Sequence, residues 1–214
     1  MSDAASSVLD PEIVPSIPPL FSPEQLESHA LALAAEHTLA ADPRRVRPLL
    51  PRLDESAERL DEAYQYLSTI ARTDPQPVAS EDWLRDNYHV VQDQVREVRQ
   101  DLPRKFYLQL PTLGPPKRSE GDLGPPKPGV GGLTGPYDGY PRVYLIAREL
   151  IAHTAGRFDL ETLVDFVTAY QRVAPLSIGE TWAIPIMLRL GLVEDLQRLV
   201  DEVVSARRSR EQAR

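Results

Sequence analysis

The 214-residue chain is long enough for one large or two small domains with a buried core, and its 42% hydrophobic and 26% charged residues are ordinary for a globular protein. A net charge of −8 argues against holding nucleic acid by bulk electrostatics. Cys is absent, which excludes a disulfide framework, thiolate chemistry and a Cys-based metal site, and fits a reducing compartment.

The N-terminus is acidic and Pro-broken, without the basic and apolar regions of a signal peptide. No run approaches the ~20 apolar residues a membrane span needs. The nearest, Trp182 to Val193, is short and holds Pro185 and Arg189, so no membrane span and a soluble chain are expected.

Residues 1–21 read as a disordered polar tail. Ser22 then serves as an N-cap, with Pro23 at the first helical position and Gln25 closing a capping box. This first helix is Ala/Leu-rich and is expected to reach about Ala41, before Asp42-Pro43. From about Pro51 a second helix carries Leu53, Ala57, Leu60, Tyr64, Leu67 and Ala71 on one stripe, which needs a partner helix. Thr73-Asp74-Pro75 ends it. Ser80 is the expected cap of a third helix, whose stripe is Leu84, Tyr88, Val91, Val95, Val98 and Leu102. The shared period predicts that the two helices pair antiparallel. Pro103 stops the third, and a short apolar segment runs from Phe106 to Leu110.

Residues 111–138 differ in kind: they are rich in Pro and Gly, and Leu113-Gly-Pro-Pro-Lys117 recurs as Leu123-Gly-Pro-Pro-Lys127. Such a segment buries too little surface to offset its ordering entropy, which predicts a flexible, duplicated linker. Order is expected to return at Gly139, in the densest apolar stretch of the chain. Pro141 suits the first position of a helix that runs to Ala155, with Gly156 at its C-cap. Asp159 caps the next helix, and Ser177 with Glu180 forms a second capping box. Pro185 should bend that helix, Gly191 should break it, and a last helix should run from about Val193 to Ser205. The basic end, with Arg207, Arg208, Arg210 and Arg214, reads like a helix cut while in progress.

The four histidines, His29, His37, His89 and His153, show no ligand spacing, which favours structural roles over a metal site. Glu149, Asp159 and Glu180 are the candidate carboxylates for acid/base chemistry on a glycan, yet capping already explains Asp159 and Glu180. Trp83, Tyr140, Tyr144, Tyr170 and Trp182 could stack on sugars, but at helical spacing they are more often core. There is no GxSxG, Walker A or GxGxxG motif and no Asp-x-Asp pair. No catalytic, cofactor-binding or metal-binding residue is assigned.

Two blocks carry a family resemblance. One runs from Glu81-Asp-Trp-Leu-Arg-Asp-Asn-Tyr through Gln100-Asp-Leu-Pro103. The other includes Gly139-Tyr-Pro-Arg-Val-Tyr, Arg157-Phe-Asp-Leu-Glu-Thr-Leu163, Tyr170-Gln-Arg-Val173 and Leu176-Ser-Ile-Gly-Glu-Thr-Trp-Ala-Ile-Pro-Ile-Met-Leu-Arg189. Both resemble the amino-terminal region of the cyclic β-1,2-glucan synthases. The resemblance implies a parent that is a large bacterial inner-membrane enzyme, which polymerises glucose from UDP-glucose, with a divalent metal, and cyclises the product. The matched region would precede the transferase and face the cytoplasm. The sequence departs from the family in its longer Pro/Gly linker and in stopping before any catalytic or membrane part, as an excised piece, a truncated frame or a split frame would.

The expected architecture is all-α, about seven helices in two sub-bundles, residues 22–110 and 139–214 with the basic tail, joined by the linker. The expected role is a non-catalytic cytosolic scaffold or regulator of a transferase encoded in the same protein or separately. No cofactor is expected in this chain. A leftover apolar face would dock on that partner or drive self-association. The alternatives are a helical adaptor unconnected with sugars, or a glucan-acting enzyme using Glu149, Asp159 and Glu180.

Overall fold

The computed structural model describes residues 18–41, 46–73, 78–114 and 138–212. Most of the N-terminal tail and of the duplicated Pro/Gly segment lies outside the described residues. Within them the fold is all-α, with seven helices: α1 (Pro23–Glu36), α2 (Leu50–Thr73), α3 (Ala79–Asp101), α4 (Arg104–Tyr107), α5 (Arg142–Thr154), α6 (Leu160–Gln171) and α7 (Ile178–Gln212). β-Pairing among the described residues is limited to two isolated bridges, Leu39 with Leu113 and Thr112 with Pro141.

The stripes of α2 and α3 are buried as their spacing requires. Leu53, Leu60 and Leu67 of α2 meet Leu84, Tyr88, Val91, Val95, Val98 and Leu102 in one core cluster. Tyr64 and Tyr88 stack across the pair, with ring centroids 4.3 Å apart. The helices group in space differently from their order in the chain. α7 packs on α5, α2 and α3, while α1 packs on α6. Helices from both sides of the Pro/Gly segment therefore share one core, and α7 covers the seam between α2 and α3.

Local capping signals decided the starts of α1, α6 and α7. Ser22 and Gln25 form the expected capping box, with the Gln25 amide donating to Ser22 Oγ and the Ser22 amide to Gln25 Oε1 at 2.8 Å. Asp159 accepts from the Thr162 amide at 2.8 Å. The start of α3 differs. It begins at Ala79 behind Val78, with no side-chain cap, so Ser80 lies inside the helix and does not cap it. Pro141 is the N-cap of α5 and Arg142 its first residue, because Pro141 is held in the bridge to Thr112. α1 stops at Glu36, well short of Ala41. The chain then runs extended, with the Ala40 amide donating to the Thr112 carbonyl and the Gly114 amide to the Thr38 carbonyl. α5 ends one residue earlier than the glycine signal implies. Ala155 itself takes the left-handed conformation (φ 50°), and the Gly156 amide reaches back to the Ile151 carbonyl in a Schellman-type closure.

The largest difference is at Gly191, which does not break the chain: α7 is continuous over 35 residues and passes through both Pro185 and Gly191. A Cβ at Gly191 would sit 2.7 Å from Ile151 Cδ1 and 3.3 Å from Arg148 Cδ. The glycine is there for the close approach of α5, and packing outweighs its ~1 kcal/mol deficit in helix propensity. Arg148 uses the same approach to donate from Nη1 to the Gly191 carbonyl at 3.1 Å. Pro185 is exposed, so its ring disturbs the solvent side of the helix and not its packed face. The count of seven thus matches the expectation with a different membership: the two C-terminal helices are one, and the short α4 makes up the number.

Gly191→Leu should destabilise the fold by about 1–3 kcal/mol through overpacking between α5 and α7. Gly191→Ala should cost little, because only the flexible tip of Ile151 and, slightly, the Arg148 side chain must move. Urea unfolding midpoints of the two variants check the difference.

Candidate functional site

Of the histidines and carboxylates singled out in the sequence, the structure brings three together, His29, Glu149 and His153. At the end of α5, Glu149 and His153 lie one turn apart on the same face. α1 brings His29 against them, and His29 Nε2 is 2.9 Å from Glu149 Oε2. His153 Nε2 is 3.5 Å from the same oxygen. Both Glu149 and His153 are buried, while His29 lies at the edge of the cluster with 11% of its side chain exposed. The segment before α1 closes over the site. The Phe21 amide donates to the His153 carbonyl at 3.0 Å, His153 Nδ1 donates to the Pro19 carbonyl at 2.9 Å, and the Phe21 ring stacks on the His153 ring at 3.8 Å. Burial pulls the His153 pKa down, but the nearby Glu149 carboxylate and the Pro19 carbonyl outweigh it, so the net shift is upward.

At the start of α7 a second carboxylate is consumed by structure. Glu180 is fully buried and receives Arg142 in a two-point pair, Nε to Oε1 at 2.5 Å and Nη2 to Oε2 at 2.9 Å. Arg142 Nη2 also donates to the Pro175 carbonyl at 2.7 Å. The Ser177 amide and hydroxyl both donate to Glu180 Oε2 at 2.9 Å, completing the expected capping box. Burial alone would raise the Glu180 pKa, but the Arg142 and Ser177 hydrogen bonds hold it below its ordinary value. Asp159, by contrast, is an exposed cap at the start of α6.

A third network joins α2, α5 and α7. Tyr144 donates to Glu194 Oε2 at 2.6 Å, Arg52 donates to Glu194 Oε1 at 2.9 Å, and Arg148 lies 3.3 Å from Glu194 Oε2. The other two histidines take no part in these networks. His37 Nδ1 is 2.8 Å from the Tyr170 hydroxyl, and burial pushes its pKa down to about 4, so it is neutral at pH 7. His89 is exposed on α3.

The three candidate carboxylates therefore serve three separate roles. The α2–α3 groove, of about 490 Å³, is lined by residues such as Asp54, Asp61, Tyr88, Gln92, Arg96 and Arg99. A groove at the starts of α1 and α6, of about 580 Å³, includes Asp159 but neither Glu149 nor Glu180. The aromatic set does not form a sugar platform either. Tyr144 and Tyr170 are core, whereas Trp83 on α3 and Trp182 on α7 are more than half exposed. Sequence reasoning missed the meeting of His29 with Glu149 and the role of Arg142. The first pair is 120 residues apart with no motif to link it. The second had half a signal in the Ser177/Glu180 box.

Replacing Glu180 with Gln leaves the Arg142 charge buried without its partner, and should cost about 3–5 kcal/mol at pH 7. Because the folded pKa of Glu180 is lowered, its contribution is fully present above the ordinary value of 4.5 and is lost as pH falls through the folded value. Urea midpoints measured from pH 7 down to 3 should converge for the wild type and Glu180→Gln at the acid end.

No family model matches the chain. It is 36% identical over 132 residues to the cyclic beta-(1,2)-glucan synthase NdvB of Rhizobium meliloti (strain 1021), a match that covers 62% of this chain. The same match covers 4% of that protein, so the chain spans a small fraction of its relative's length. Among the described residues no helix is long and apolar enough to cross a membrane. The chain is thus related, over most of its own length, to a small part of a cyclic β-1,2-glucan synthase.

Proposed function

We propose that the chain is a non-catalytic helical module that serves a cyclic β-1,2-glucan synthase as a scaffold or regulator of its transferase, at the cytoplasmic face of the inner membrane. The observation that carries this is the fate of the carboxylates. Glu180 is locked under Arg142, Asp159 is a helix cap, and Glu149 is enclosed by two imidazoles. Neither Glu149 nor Glu180 lines a groove in which it could face a second carboxylate, as glycoside chemistry requires, and Asp159, which shares its groove with Glu24, Glu27, Glu161 and Asp165, is an exposed cap bound to the Thr162 amide. UDP-glucose and the metal of the transfer step then belong to the partner.

Docking is the role left to the surface. Leu160 and Val164 lie one turn apart on α6, and Ile178 and Trp182 one turn apart on α7, all four more than half exposed. Exposed apolar pairs at helix starts next to well-packed cores are the kind of surface that a larger protein body covers. The occupant is the remainder of the synthase, because the relative's matched segment is a small part of one long protein.

The purified chain should transfer no glucose from UDP-glucose, and should be captured by the separately expressed transferase part of a related synthase. Ile178→Asp with Trp182→Asp should weaken that capture by about tenfold or more, an effect of hot-spot size, while leaving the circular dichroism of the chain unchanged. Glucan formation by the chain alone, or capture indifferent to the double variant, contradicts the reading.

A further inference from the structure

We propose that His29 Nε2, Glu149 Oε2 and His153 Nε2 form a binding site for one divalent transition-metal ion of the zinc class. The inference does not rest on the role in glucan synthesis. The three donor atoms lie within 4.8 Å of one another. A four-coordinate ion with bonds of about 2.0–2.1 Å to imidazole and carboxylate sets its donors roughly 3.3 Å apart. The separations here, 2.9 Å from His29 and 3.5 Å from His153 to the shared Glu149 oxygen, bracket that value. The third pair, His29 and His153, lies within 4.8 Å, so the ion would draw the two imidazoles together about the shared oxygen.

The tautomer of His153 is the second observation. Its Nδ1 faces the Pro19 carbonyl, which can only accept, so Nδ1 carries the hydrogen. In the neutral ring Nε2 is then a lone pair. That atom is buried, has no hydrogen-bond partner and is directed at the Glu149 carboxylate. A lone pair facing a carboxylate is unfavourable unless a positive charge stands between them. An Nδ1–H bonded to a backbone carbonyl is also the arrangement that orients an Nε2 metal ligand.

The surroundings fit an ion of this type. No Lys or Arg pairs with Glu149 among the described residues, so its charge is met by the two imidazoles alone. Two imidazoles and one carboxylate suit zinc and its neighbours, and not magnesium or calcium, which take oxygen ligands. Phe21, stacked on His153, walls off one side, and the partly exposed His29 leaves an entry at the edge. The ion would tie α1 and the 19–21 segment to the end of α5. With three protein ligands, a water would complete the shell.

The test uses the full chain without an affinity tag, stripped with a chelator and titrated with zinc chloride against a chromophoric zinc competitor. One ion per chain is expected, together with a rise in Tm on zinc addition. Cobalt(II) in place of zinc should give the intense visible bands of a four-coordinate site. His29→Gln, at the exposed edge, should weaken zinc binding by roughly 100-fold or more with unchanged circular dichroism, as should His153→Gln, while His89→Gln on α3 should leave it unchanged. His29→Gln keeps the test decisive where the buried His153→Gln fails to fold. The proposal is overturned if the chain takes up no stoichiometric zinc, or if binding survives His29→Gln. In the first case the cluster holds a proton on His153 and no metal.

Discussion

The close approach of α5 and α7 at Gly191 is the contact on which the rest of the molecule depends. It lets α5, ten of whose thirteen residues are buried, lie against the longest helix with no side chain from α7 at the crossing. Arg148 then reaches the Gly191 carbonyl and the Glu194 carboxylate, and Tyr144 reaches Glu194 as well. With α5 seated, α7 is free to use its other faces on α2 and α3. One long helix thereby joins chain segments from both sides of the Pro/Gly stretch into a common core.

The same seating fixes both ends of α5. At its start Arg142 is drawn under Glu180 and the Pro175 carbonyl, which ties α5 to the first turn of α7. At its end Glu149 and His153 meet His29, and the 19–21 segment is pinned by backbone and ring contacts. Buried charge sits at both ends of a helix whose middle is apolar. Such charge adds little net stability over an apolar pair, but it penalises any other register heavily, because a misplaced partner leaves an ion stranded. For this protein the consequence is a well-defined body with chemistry buried inside it, and apolar residues left outside at the starts of α6 and α7.

Much of this was legible where the cause was local. The capping boxes at Ser22 and Ser177 and the cap at Asp159 depend on residues within one turn, and all three formed. The stripes of α2 and α3 were legible because burial follows a helical period. What failed was every inference that let propensity decide without knowing the neighbour. Gly191 looked like a stop because a glycine weakens a free helix, yet the packed partner leaves no room there for a large side chain. Ser80 looked like a cap, but the backbone had already turned at Val78. Pro141 missed its place by one because it is held by Thr112, whose position no local pattern reveals. The site was the least legible part. His29 and Glu149 are joined by the packing of α1 on the end of α5, and the one-turn spacing of Glu149 and His153, though present in the sequence, matches no ligand motif. The relationship to a glucan synthase was carried by particular residue strings, not by any physical feature of the fold.

The central claim is that this chain works by being bound, with its own carboxylates spent on structure. Amide hydrogen exchange tests that most directly, measured on the chain alone, with UDP-glucose, and with the transferase part of a related synthase. The account predicts no change with the nucleotide sugar, and protection with the protein at the first turns of α6 and α7. Protection by UDP-glucose in either groove, or a protein footprint that spares both helix starts, would contradict it.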